Sequence, residues 1–130
     1  MANNISPQAF VDPTAKIGNN VIIYPFAYVE GDVVIGDGCK IYPFVSLMSG
    51  TRMGKNNMVH QGTVLGALPQ DFDFKGEQTE LIIGDDNIIR ENVVINRATH
   101  SDGQTIIGNK NFIMEGVHIS HVHRCGGAGR

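Results

Sequence analysis

One hundred and thirty residues carrying a net charge of -3 make one domain at most, with no basic stripe to hold nucleic acid. No apolar run is long enough to cross a bilayer, the opening "MANNISPQAF" lacks the charged and apolar halves of a secretion signal, and two cysteines make no disulfide framework. Sixteen glycines, no Trp, and Val and Ile set among Asn and Asp are the vocabulary of short strands and many turns.

From Val11 onward, a step of six meets Ile17, Ile23, Val29, Ile35, Ile41, Leu47, Met53, Val59 and Leu65, ten aliphatic or Met positions in a row. At 42% apolar composition that run has a chance probability of about 10⁻⁴, so coincidence is a weak explanation. Four residues after each aliphatic comes a second position, mostly small: Ala15, Val21, Ala27, Val33, Cys39, Val45, Thr51, Asn57, Thr63. "IG" opens several units, as at Ile17-Gly18, Ile35-Gly36, Ile83-Gly84 and Ile107-Gly108, and is read as corner chemistry, where φ turns positive or the chain bends sharply. Six residues are too few for a helical hairpin but suit one short strand and a corner, with both marked positions pointing inward. Three units close one triangular coil, and sixteen would stack about five coils deep, roughly 25 Å at the spacing of strands. No helical pattern competes. Cys39, Met48, Met53, Met58 and Met114 read as packing, and His60 and His100 as surface residues.

After Leu65 the phase fails at Asp71 and Glu77, returns at Ile83, Ile89 and Ile95, skips Ser101, and resumes at Ile107, Ile113 and Ile119. The two gaps are polar excursions placed at 66–82 and 100–104, leaving a coil that continues beneath them. Insertions on one face of a solenoid often mark its binding face. The repeat is expected over 1–121, with 122–130 a tail outside the pattern.

The text "GALPQDFDFKGEQTELIIGDDNIIRENVVINRAT", followed by Gly108, Asn111, Met114 and "HISH" (His118 to His121), resembles the acyl carrier protein–UDP-N-acetylglucosamine O-acyltransferases. The resemblance covers nearly all of 8–121. The six-residue repeat alone is common to many transferases; the Gln70-Asp71 loop, the Ile89-Arg90-Glu91 segment and HISH in this order are specific. It implies an all-β, left-handed parallel β-helix, here without the family's C-terminal helical domain. It implies homotrimers with active sites between neighbouring prisms, in the cytoplasm. It further implies transfer of an (R)-3-hydroxyacyl chain from acyl carrier protein to the 3-hydroxyl of UDP-N-acetylglucosamine, the first step of lipid A synthesis, with no cofactor and no metal.

That chemistry needs a base within hydrogen-bond reach of a hydroxyl that is almost wholly protonated at neutral pH, and imidazole is the natural group. The resemblance makes His121 the general base and puts Gln70, Asp71, Asn96, Arg97 and His118 at the substrate. Three positions depart from the family: Asp73 stands where it has Lys, Asn96 where it has His, and Val122 where an Asp follows the base. After His121 the text changes to "VHRCGGAGR", which reads as a truncated or frame-shifted ending and an expectation of weak activity. Two rival readings stand beside this one. One is a zinc enzyme like the γ-class carbonic anhydrases, fed by His118, His121 and His123. The other is a β-helical module that only assembles.

Overall fold

Two-residue strands of one outward and one inward side chain are what a six-residue unit can form, and the computed structural model is built almost entirely of them. It describes residues 3–69, 76, 78–99 and 103–120, and the strand Arg124–Cys125. Three 6-stranded sheets form a triangular prism, every neighbouring pair parallel, and the chain visits the three in rotation. The first runs from Asn4–Ile5 through Lys40–Ile41 to Phe112–Ile113; the second from Phe10–Val11 through Val64–Ala67 to His118–Ile119; the third from Lys16–Ile17 through Glu80–Ile83 to Arg124–Cys125. This is the left-handed parallel β-helix. It has two strands more than the sixteen units, because Asn4–Ile5 pairs with Ile22–Ile23 and Arg124–Cys125 pairs with Gln104–Ile107. Within 122–130, Arg124–Cys125 extends the third sheet, with Cys125, six residues past Ile119, the register partner of Ile107.

The aliphatic positions make the core. Ile23, Val29, Ile35, Ile41, Leu47, Val59, Leu65, Ile89, Ile95 and Ile107 are each no more than 1% exposed. Each pairs in register with its counterpart one coil away, as Ile41 does with Ile23 and Val59. Burying one such side chain is worth about 1.5–3 kcal/mol, and here it is collected only against the adjacent coils. Cys39 and Met53 are buried as expected, but Met114 is 63% exposed. It directly follows the inward Ile113, and the period of two turns it outward.

Register also explains why the six-residue count survives both excursions. Partners in an uninterrupted coil are 18 residues apart, as Ile41 and Val59 are; Val59 and Ile89 are 30 apart, and Ile89 and Ile113 are 24 apart. The insertions add whole multiples of six, so the phase returns unchanged.

The corners follow a different rule from the one "IG" suggests. The left-handed residue comes third after most inward aliphatics: Asn20, Gly38, Asn56 and Asp86 at one corner, Phe26, Phe44, Gly62 and Asn92 at another. The glycine of "IG" is needed for close approach instead. A Cβ on Gly36 would press into the carbonyl of Gly54, one coil on. Phe26 (φ 69) and Phe44 (φ 62) are bulky for a left-handed corner. They stack on each other across one coil step, with ring centroids 5.5 Å apart.

Inside the corner that leads into the first sheet, a ladder of asparagines replaces apolar packing. Asn87 donates from N and Nδ2 to Asn57 Oδ1 (2.9 and 3.0 Å) and from Nδ2 to the Gly108 carbonyl (2.9 Å). Its Oδ1 accepts from the Asn111 N–H at 2.8 Å. Outside, on the first sheet, Tyr24, Tyr42 and His60 stack at 4.8 and 4.6 Å, so His60 is half-buried rather than a plain surface residue. Burial pushes its imidazole below the ordinary value of 6.5; Glu91 opposes that shift, while Arg90 adds to it.

Two tests follow from these stacks. Asn87→Ala leaves the Gly108 carbonyl and the buried Asn111 N–H without partners, and should lower unfolding stability by about 2–4 kcal/mol in urea with an unchanged m-value. For His60, the unfolded chain takes up its proton at a higher pH than the folded one. The parent therefore loses stability as pH falls from 6.5 towards the lower folded value. Urea midpoints across that window should decline less steeply in His60→Phe, and equal slopes would show that the stack does not resist protonation.

Candidate functional site

Both excursions leave at one corner, between the second sheet and the third. The first departs after Val64–Ala67 and returns at Glu80–Ile83; the second departs after Val94–Asn96 and returns at Gln104–Ile107. Sequence phase placed the first at 66–82, but pairing holds Gly66 and Ala67 in the departing strand and Glu80 to Ile82 in the returning one. At this corner the left-handed third residue is present at Asp32 and Gly50 and missing at Leu68 and Ala98, where the chain leaves, and at Thr14 in the first coil. The roots are stacked and joined, with the Glu80 N–H bonded to the Gly103 carbonyl at 3.2 Å.

A β-bulge sets the upper edge of the site. Pairing between Val64–Ala67 and Val94–Asn96 slips at Gly66 (φ 80), so that Ala67 faces Asn96. A Cβ at Gly66 would strike the Thr51 hydroxyl, and only glycine suits both the space and the φ. The slip turns the carbonyls of Ala67 and Leu68 over Asn96, whose Nδ2 donates to Leu68 at 2.6 Å and lies 3.5 Å from the Ala67 oxygen. Asn96 is 1% exposed.

His118 stands on the outward position of His118–Ile119, paired with Val94. Its Nε2 lies 2.7 Å from Asn96 Oδ1, and the side chain is otherwise open to solvent. Two of the expected substrate residues, Asn96 and His118, thus form one hydrogen-bonded pair, of which His118 presents the outer surface.

Arg97 sits at the same corner, half-buried. Its backbone N–H donates to the Ala67 carbonyl at 3.0 Å. Its guanidinium donates to the Thr79 hydroxyl at 3.2 Å, where the first excursion returns, and to the Ser49 carbonyl at 3.1 Å. The side chain expected at the substrate therefore also pins the root of the excursion to the coil below it. Gln70, Asp71 and His121 lie outside the described residues.

On the third-sheet flank of the corner the two returning roots, at Thr79–Glu80 and Gly103–Gln104, line an open cleft of about 330 Å³. Arg52 crosses it, paired with Asp32 at 2.8 Å and Glu80 at 3.2 Å; Gln104 donates to Glu80 at 3.0 Å. Sequence reasoning missed this Asp32–Arg52–Glu80 chain. The signal was there in the outward column Lys16, Val34, Arg52, but charges on a solvated face carry little information alone. Among the described residues no group of three His, Cys, Asp or Glu is placed to hold a metal, and no helix is long and apolar enough to cross a membrane.

Arg97→Ala should cost about 1–3 kcal/mol in thermal or urea unfolding, by orphaning the Ser49 carbonyl and the Thr79 hydroxyl. Arg97→Lys should recover only part of it, because a single ammonium does not reproduce the fork that reaches both acceptors. Full recovery by Lys would show that charge alone matters at this root.

The family model for bacterial transferase hexapeptide repeats matches residues 14–47 and 32–67. Among curated proteins, the acyl-[acyl-carrier-protein]–UDP-N-acetylglucosamine O-acyltransferase of Saccharophagus degradans is 45% identical over 118 residues, covering 90% of this chain and 46% of the relative. The protein of the same name from Halorhodospira halophila is 51% identical over 123 residues, covering 94% and 48%. Of solved structures, the UDP-N-acetylglucosamine acyltransferase from Bacteroides fragilis superposes with a TM-score of 0.87 at 52% identity, covering 89% of this chain and 46% of that one. The UDP-N-acetylglucosamine O-acyltransferase of Moraxella catarrhalis gives 0.90 at 40% identity, covering 94% and 48%. The chain spans about half the length of the curated relatives it matches.

Proposed function

The chain belongs to the acyl-[acyl-carrier-protein]–UDP-N-acetylglucosamine O-acyltransferase family, and on that premise we propose that it transfers an (R)-3-hydroxyacyl chain from acyl carrier protein to the 3-hydroxyl of UDP-N-acetylglucosamine, the first step of lipid A biosynthesis. The observation that carries this reading is the identity of 45–51% over nine-tenths of the chain to relatives of that name. The carbonic-anhydrase and assembly-only readings gain no support from any of those names. The protein acts in the cytoplasm as a homotrimer.

In this reaction the sugar oxygen attacks the thioester carbonyl carbon while His121 removes its proton. The tetrahedral oxyanion is held by N–H donors, and its collapse expels the carrier thiolate, which takes up the proton. No covalent enzyme intermediate is needed. His118 and Arg97, with Gln70 and Asp71 on the first excursion, hold the sugar nucleotide at the corner where both excursions leave. The polar character of that corner, with Asn96, Arg97 and His118 gathered at the root of the longer excursion, supports placing the sugar nucleotide there.

The test is acyl transfer by the purified chain, supplied with 3-hydroxyacyl carrier protein and UDP-N-acetylglucosamine and read as acylated sugar nucleotide by mass. Loss of His121 as base should cut the rate about 10²–10⁴-fold in His121→Ala. A parent that is folded and makes no product, alone or with added carrier protein in excess, would overturn the reading for this chain.

A further inference from the structure

We propose, building on the acyltransferase reading, that Asn96 is a positioning residue. Its carboxamide locks the His118 imidazole with the proton on Nε2, so that the Nδ1 lone pair accepts a hydrogen bond from a hydroxyl or amide N–H of the sugar nucleotide.

The lock follows from which atoms face each other. Asn96 Nδ2 lies 2.6 Å from the Leu68 oxygen and 3.5 Å from that of Ala67. Turning the amide over would set its oxygen against two carbonyl oxygens with no hydrogen between them, so the orientation is decided by the network. Oδ1 is then the atom 2.7 Å from His118 Nε2. A carboxamide oxygen only accepts, so Nε2 must donate, and a neutral imidazole that carries its proton on Nε2 has a free lone pair on Nδ1.

Burial makes the lock firm. Asn96 is 1% exposed, so water does not compete for Oδ1, and a hydrogen bond in that surrounding is stronger than in solvent. Asn96 is held in turn from two sides: its backbone pairs with Ala67 across the bulge, and its Nδ2 is clamped by the Leu68 carbonyl. His118 is exposed on the outer face of its sheet, and among the described residues nothing bonds to Nδ1. The ring therefore offers an incoming ligand an acceptor of fixed direction. The clamp also ties that acceptor to the root of the first excursion through one buried side chain.

The experiment is two-bond nitrogen–proton NMR on chain labelled with ¹⁵N-histidine, which reads the tautomer without any need for activity. In the parent, His118 should show a protonated Nε2 and an unprotonated Nδ1, and titration with UDP-N-acetylglucosamine should move the Nδ1 resonance in the direction of an accepted hydrogen bond. Asn96→Leu should average the two tautomers and, in the transfer assay, raise KM for the sugar nucleotide about tenfold with a smaller change in kcat, the effect of one neutral hydrogen bond. A parent His118 that is averaged or protonated on Nδ1 overturns the lock. A locked ring whose Nδ1 does not respond to the sugar nucleotide overturns the ligand assignment. Failure of the acyltransferase reading shows separately, as a parent that binds the nucleotide and forms no acylated product.

Discussion

Each coil can hide its aliphatic side chains only beneath the coil above and over the coil below, and every other feature of the prism answers to that constraint. Ile41 has Ile23 on one side and Val59 on the other, in register, at the distance of hydrogen-bonded strands. A shift of one residue would turn each of these outward. The corners, the asparagine ladder and the stacked rings all repeat at this interval, because nothing that repeats at another could lie between two coils. Even the excursions comply: they lengthen the path between partners from 18 residues to 30 and 24, and so return the chain in phase.

That regularity is why so much of the fold could be read without coordinates. The column Val11 to Leu65, and its reappearance at Ile83 and Ile107, needs only the rule that apolar positions recur where a strand faces inward. What was hidden involved pairs of coils. Asn57 could be read as a small inward residue, but that Asn87 and Asn111 continue it as a hydrogen-bonded ladder depends on knowing that the first excursion inserts a multiple of the repeat. The glycine of "IG" suggested a turn, while its real use is to let the Gly54 carbonyl approach Gly36. Phe26 and Phe44 run against turn chemistry, and only their stacking on each other makes sense of the corner. His60 was read as a surface residue for the same reason: its partner, Tyr42, is eighteen residues away and one coil below.

At the candidate site the balance is reversed. Resemblance named the residues, and geometry told them apart. Asn96 and Arg97 are neighbours in sequence with unlike duties: the first lies under the surface and faces His118, the second ties Thr79 to Ser49 across a departing strand. A list of polar residues does not separate these, because the difference arises from the bulge at Gly66, where the strand slips against its neighbour and brings the Ala67 and Leu68 carbonyls over Asn96. The bulge is itself the consequence of a chain that must leave the prism and yet keep its hydrogen bonds until the last possible residue.

The asparagine ladder has a direction. At each rung a side-chain oxygen receives the backbone N–H of the next asparagine along the chain, Asn57 from Asn87 and Asn87 from Asn111. A finished coil therefore displays an acceptor at the place where the following coil must put a donor, and each coil is a template for its neighbour. Assembly by such a template is a zipper: the first coils bear the entropic cost of nucleation, and later ones join at nearly constant gain. It also makes the architecture modular. Whole coils can be added, lost or decorated in the course of evolution while the rest of the stack keeps its alignment, and a defect in one rung is felt by its two neighbours before it is felt anywhere else.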